Sequence, residues 1–101
     1  MIKIKAKKLS SWLEKSEGLL GAKKPSPIFF KTHFGIHTFF MKFPIDVVIL
    51  DSKGRVVTIK ESLFPNQLFL WNPIHNGVLE LPQGVVKKMK IKKNSVIQIT
   101  S

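Results

Sequence analysis

The 101-residue sequence contains no cysteine and no tyrosine. The absence of cysteine excludes disulfides, a thiolate nucleophile and cysteine-based zinc or iron–sulfur sites. No apolar run approaches the roughly 18–20 residues of a membrane-spanning helix, and the N-terminus lacks the apolar segment of a secretory signal. We therefore expect a cytoplasmic protein that does not bind membranes and whose stability comes from packing.

Acidic residues are also scarce, since six Asp and Glu stand against 17 Lys and Arg and leave a net charge of +11. Two groups contain many of the lysines: Lys3, Lys5, Lys7 and Lys8 near the start, and Lys87, Lys88, Lys90, Lys92 and Lys93 near the end. If the terminal strands pair, these groups could form one positive surface that binds nucleic acid or an acidic protein without reading base sequence. The alternative is that the charge only keeps the protein soluble.

The length and the 44% hydrophobic content indicate one globular domain spanning residues 1–101. Alternating or apolar segments such as "IKIKAKK", "QLFLW", "GVLEL" and "SVIQIT" predict short strands. A short helix is predicted from Ser10 or Ser11 to Gly18 or Gly21, and one or two helical turns in "QGVVKKMK". The expected fold is mainly β: an antiparallel β-sandwich or distorted barrel with one or two short helices.

The most distinctive segment predicts a hairpin in which "IDVVIL" and "RVVTIKES" flank "DSKG". A three-residue loop with Gly54 in the left-handed conformation pairs Asp51 with Arg55, and the same register places Asp46 opposite Lys60. Pro44 should separate the first of these strands from the preceding "HTFFMKF".

Four segments together resemble an uncharacterised bacterial and archaeal family, domain of unknown function one-nine-two (DUF192): "GLLG", "GIHTFFMKFPIDVVILDSKGRVV", the proline of "LFP", and "VLELPQG". The resemblance runs from about Gly18 to the C-terminus. It implies a compact, sandwich-like β fold with a short helix after "LELPQG", but no reaction, substrate or cofactor. Asn94-Ser95 replaces the Gly-Asp that the family often has before the last strand.

Polar residues within the apolar segments are the candidate site: His37, Thr38, Asp46 and Glu80. If they line a cleft, the protein is a non-enzymatic domain that binds a small polar ligand, with a carbohydrate as one candidate. A carboxylate-based hydrolase is a weaker alternative that would use Asp46 and Glu80 as an acid–base pair. The structural interpretation is that each carboxylate accepts backbone hydrogen bonds and fixes the fold.

Other catalytic patterns are missing from the sequence. There is no nucleophile elbow and no glycine-rich phosphate loop, and His33 and His37 are separated by Gly35 in extended sequence. We therefore expect no metal and no cofactor, and a binding domain rather than an enzyme.

Overall fold

The computed structural model describes residues 1–9, 26–33, 35–38 and 42–101. Within these ranges the chain forms, in order, β1 (Ile2–Lys5), β2 (Lys7–Lys8), β3 (Ile28–Lys31), β4 (Ile36–His37), β5 (Ile45–Leu50), β6 (Val56–Leu63), β7 (Leu68–Phe69), β8 (Gly77–Pro82), α1 (Val85–Lys88) and β9 (Ile97–Thr100). The helix predicted between Ser10 and Gly21 lies outside the described residues.

The strands form one large sheet and two ribbons. The sheet has the order β2-β3-β8-β5-β6, and the ribbons pair β1 with β9 and β4 with β7. Two pairs, β1–β9 and β2–β3, are parallel, whereas the remaining pairs are antiparallel. The mainly β prediction is confirmed, and the described sheets do not close into a barrel. Antiparallel pairing predominates, as expected, and the two parallel pairs are exceptions to it.

The β5–β6 turn has the predicted geometry. The Asp51 N–H donates to the Arg55 carbonyl at 3.0 Å, and Gly54 has a φ of 82°. The side chain of Asp51 reinforces the turn, because its Oδ1 accepts the N–H groups of Lys53 at 2.8 Å and Arg55 at 2.9 Å. Local turn chemistry therefore determines how this hairpin begins.

Further along the hairpin the predicted register is wrong. Leu50 opposes Val56, but Ile49 opposes Thr58, so a bulge at Val57 shifts the pairing by one residue. Lys60 consequently lies opposite Val47 and not opposite Asp46. Because neighbouring residues of a strand point to opposite faces, the shift also moves Ile59 to the face opposite the predicted one.

Both faces of β5 are buried, which gives the molecule two apolar cores on either side of the large sheet. The front core lies under the β1–β9 ribbon and α1, and consists of Ile4, Ala6, Val48, Leu50, Val56, Leu79, Leu81, Val86, Ile91 and Ile97. The back core lies on the other face and consists of Ile28, Phe30, Ile36, Ile45, Val47, Ile49, Leu63 and Val78. The alternation along β5 and β8 decides which core each side chain enters.

Candidate functional site

Asp46 lies on β5 and is the point where three chain segments meet. Its side chain is 1% exposed and points towards the front core, between Ile45 and Val47 of the back core. Oδ1 accepts the N–H of Ser62 at 3.0 Å, and Oδ2 accepts those of Gly84 at 3.0 Å and Val86 at 3.1 Å. One carboxylate therefore joins β5 to β6 and to the start of α1.

Local backbone geometry explains why these N–H groups point at Asp46. Ser62 has a φ of 56° next to a second register shift in the β5–β6 pair, and Gly84 has a φ of 92° immediately before α1. Positive φ turns each N–H away from the direction that a regular strand or helix gives it. The arrangement confirms the structural interpretation of Asp46, which accepts backbone hydrogen bonds at the strand–helix junction.

Glu80 lies on the neighbouring strand β8 but on the other face of the sheet. It is 2% exposed and pairs with Val47 of β5, whereas Asp46 pairs with Leu81. Since Val47 belongs to the back core, Glu80 points to that side and Asp46 to the front side. The two carboxylates thus do not converge on one space.

His37 lies on the β4–β7 ribbon, and Thr38 directly follows β4. His37 pairs with Leu68 through the backbone. The Thr38 side chain is fully buried, and its Oγ1 donates to the Phe64 carbonyl at 2.6 Å and accepts the Gln67 N–H at 2.9 Å. Thr38 therefore holds the loop between β6 and β7, and the structure does not gather Thr38, Asp46 and Glu80 around a common cleft.

Lysines from two segments that are far apart in the sequence lie on elements that cover the front core. Parallel pairing places Lys3 opposite Gln98 and Lys5 opposite Thr100. Both lysines are exposed and alternate with Ile2 and Ile4, so they point away from the front core. Val86 and Ile91 also pack in the front core, which directs the lysines around them outwards. We use the name lysine layer for the exposed residues Lys3, Lys5, Lys87, Lys88, Lys90, Lys92 and Lys93.

Burial of carboxylates strengthens the positive surface. Asp46 and Glu80 are buried, so among the described residues only Asp51 and Glu61 present a side-chain carboxylate at the surface. Glu61 lies beside Lys87, Lys90 and Lys92 around a depression of about 460 Å³. Within the described parts of the chain, the lysine layer therefore meets few compensating charges.

A further cavity, of about 420 Å³, opens at the end of the front core beside the β5–β6 turn. Its floor is apolar and is formed by Phe29, Leu50, Ile97 and Ile99. Its polar lining comes from Lys31, Asp51, Ser52 and Asn76. The sequence does not reveal this cavity, because its residues come from four separate segments and each polar residue resembles an ordinary turn residue.

One glycine in the lining allows a close approach between strands. Lys31, Gly77 and Leu50 form a row across β3, β8 and β5. Gly77 sits in the middle of that row, and a Cβ there would lie 3.0 Å from the Leu50 carbonyl oxygen and 3.5 Å from Cε1 of Phe29. Glycine therefore lets Leu50 and Phe29 approach β8 more closely than any residue with a Cβ would allow.

Asp51 carries a negative charge at the edge of this cavity. The backbone N–H groups of Arg55 and Lys53 that bind its carboxylate lower its pKa, and the positive charges of Arg55 and His75 act in the same direction. Hydrogen bonds to the ionised form favour that form. Asp51 is therefore ionised at neutral pH.

The described parts of the chain contain neither a metal cluster nor a long apolar helix. No group of three or more His, Asp or Glu side chains there is arranged to hold a metal ion. Nor does any helix in those parts have the length and apolar character needed to cross a bilayer.

Comparison with solved structures shows that the fold is shared. A protein of unknown function from Novosphingobium aromaticivorans DSM 12444 superposes with a TM-score of 0.72 and 17% identity, over 91% of this chain and 70% of that chain. A protein from Sinorhizobium meliloti 1021, provisionally named a transcription regulator, superposes with a TM-score of 0.68 and 19% identity, over 91% of this chain and 76% of that chain. No curated protein matches the chain significantly.

The sequence itself carries a family signature over almost its whole length. The DUF192 family model, described as "Uncharacterized ACR, COG1430", matches residues 2–99. This match extends the resemblance seen in the motifs from Gly18 onwards to include β1 and β2. The chain therefore belongs to the DUF192 family.

Proposed function

We propose that the domain is a non-enzymatic binding module that docks on the phosphate backbone of nucleic acid through the lysine layer. The observation that supports this proposal is the placement of lysines from both ends of the sequence over one face of the sheet. A lysine neutralises a phosphate and releases its condensed counterion, and this gain does not depend on base sequence.

Surface charge balance gives further support. Two of the four described carboxylates are buried, so they do not offset the lysine layer at the surface. A cluster of like charge with few counter-charges creates a long-range potential that accelerates encounter with an anionic polymer. The provisional name of the Sinorhizobium protein is compatible with this proposal, but the proposal does not depend on it.

The small polar ligand predicted for His37, Thr38, Asp46 and Glu80 receives less support. The side-chain oxygens of Thr38 and Asp46 already bind backbone groups. A hydrolase that uses Asp46 and Glu80 together is also less favoured, because the two side chains face opposite sides of the sheet.

The test is an NMR titration of the labelled full chain with a short DNA duplex. Amide shifts should appear in β1, α1 and the segment before β9. For about four phosphate contacts, raising the salt concentration from about 50 to about 200 mM should weaken binding about a hundredfold.

Two variants with the same net charge distinguish binding through the lysine layer from binding through the overall charge of the protein. The first replaces Lys3, Lys90 and Lys93 with Gln, and the control replaces Lys42, Lys53 and Lys60 with Gln. Both variants lose three positive charges. Only the first should reduce the slope of log binding constant against log salt concentration, by about three.

Three outcomes decide the matter. Loss of binding in the first variant alone supports the proposal. Equal weakening in both variants shows that only net charge acts, and the lysine layer is then not a site. If the duplex causes no shifts but poly-glutamate does, the partner is an acidic protein and the nucleic-acid proposal is wrong.

A further inference from the structure

The cavity beside the β5–β6 turn combines an apolar floor with charged groups of both signs. Leu50 and Ile97 are 2% and 4% exposed, so they form a fixed part of the floor, while Phe29 and Ile99 are half-buried. Lys31 and Asp51 supply an ammonium and a carboxylate in the lining. Small-molecule sites have this composition, with mostly apolar walls and a few converging polar groups.

We propose that this cavity binds a small zwitterion with an apolar side group, of the chemical class of the free α-amino acids. The carboxylate of such a ligand pairs with Lys31, its ammonium group pairs with Asp51, and its side group covers the apolar floor. The volume of about 420 Å³ lies near the lower end of the range of about 300–1,000 Å³ that is usual for ligand pockets. A ligand of amino-acid size therefore fits better than a nucleotide or an oligosaccharide.

The turn holds Asp51 in place for this role. Its Oδ1 accepts the two N–H groups of Lys53 and Arg55, which fixes the orientation of the carboxylate. Arg55 and the protonated form of His75 attract Asp51, but Arg55 is exposed and its attraction is weakened by water. The ammonium group of a ligand that sits on an apolar floor is less screened and can compete with them.

Ser52 and Asn76 add neutral polar groups to the lining. The position of Asn76 is fixed by the N–H of Thr32, which donates to its backbone carbonyl at 3.0 Å. The carbonyl of Gly54 accepts the Ile97 N–H at 2.8 Å, which ties the turn to β9. The cavity is thus formed by segments that are bonded to each other, as a preorganised site requires.

The experiment uses three probes that share a phenyl group. L-phenylalanine carries both charges, phenethylamine lacks the carboxylate, and 3-phenylpropanoate lacks the ammonium group. Each is titrated into labelled full-length protein up to about 10 mM, which detects a Kd of about 1 mM. L-phenylalanine should shift the amides of residues 51–54, 76–77 and 97–99, and should bind at least about tenfold more tightly than either analogue.

Variants test the assignment of each group. Lys31→Met and Asp51→Asn should each weaken the binding of L-phenylalanine about tenfold, since each removes one charged contact. The amide oxygen introduced by Asp51→Asn would still accept the N–H groups of Lys53 and Arg55, so the turn should persist. Gly77→Ala should weaken binding because its Cβ would displace Leu50 or Phe29, which form part of the floor. Lys53→Met is the control, because Lys53 lies on the same turn but does not line the cavity.

Opposite results would overturn the proposal. Equal binding of all three probes would show that the cavity only accepts apolar groups. Shifts confined to other residues, no shift at all, or equal weakening by Lys53→Met and Lys31→Met would each reject the site. If Gly77→Ala does not fold, the comparison of Lys31→Met with Lys53→Met still shows whether L-phenylalanine binds in this cavity.

Discussion

Replacement of Asp46 by Ala tests whether this carboxylate stabilises the fold. The substitution leaves three N–H groups without their charged acceptor: those of Ser62, Gly84 and Val86. The Val86 bond is buried, whereas the other two are partly buried and can regain some water. Removing an acceptor from a buried donor costs about 1–3 kcal/mol, so we expect Asp46→Ala to lower the free energy of unfolding by about 3–5 kcal/mol.

Urea unfolding at neutral pH measures this loss, with the fluorescence of half-buried Trp71 as one reporter. At a slope of about 2 kcal/mol/M, the midpoint should fall by about 1.5–2.5 M. Asp51→Ala is the control, since Asp51 also accepts two backbone N–H groups but lies in an exposed turn, and its effect should be much smaller. A loss below about 1 kcal/mol for Asp46→Ala would refute the assignment of Asp46 as a structural acceptor.

Three other predictions address the turns and the loop. Gly84→Ala should lower the free energy of unfolding by about 1–2 kcal/mol through backbone strain alone. Gly54→Ala should lower it further, because its Cβ would lie 2.7 Å from the Ile97 carbonyl oxygen. Equal decreases in the midpoint of thermal unfolding would contradict this prediction. Because hydrogen bonds lower the pKa of Asp51 below 3.8, its contribution to stability is present above that pH and is lost as the pH falls through the pKa of the folded state. The difference in unfolding free energy between wild type and Asp51→Asn should therefore stay constant from about pH 7 to about pH 5 and shrink below about pH 4, and a difference that does not shrink there would disprove the linkage. Thr38→Val should lower the free energy of unfolding by about 2–3 kcal/mol and speed proteolysis of the loop at 64–67, because it removes the hydroxyl that binds this loop. Thr38→Ser should largely preserve both the stability and the resistance to proteolysis. Similar effects of the two substitutions would exclude the hydroxyl as the cause.

The parts of the fold that the sequence predicts well are local. The turn from Asp51 to Arg55 follows from a glycine that can adopt positive φ and an Asp that can accept the N–H groups of its own turn. The short helix after "LELPQG" is likewise observed, as α1 (Val85–Lys88). In both cases the residues that determine the conformation lie within a few positions of each other.

The candidate site depended on contacts that the sequence does not reveal. The bulge at Val57 leaves the apolar pattern of β6 almost unchanged, so the shift of Lys60 away from Asp46 is invisible in the sequence. The faces of Asp46 and Glu80 depend on the pairing of Val47 with Glu80 across two distant strands. A register one residue different would have put both carboxylates on the same side of the sheet.

The pairing of β1 with β9 has a consequence for the order of folding. Ile2 must find Ile97, so the front core stays open on one side until β9 has been synthesised. Contacts between residues so far apart close a very long loop and slow the folding of a domain. During synthesis, the β5–β6 hairpin can form early, whereas the front core reaches its final packing only after β9 has emerged from the ribosome.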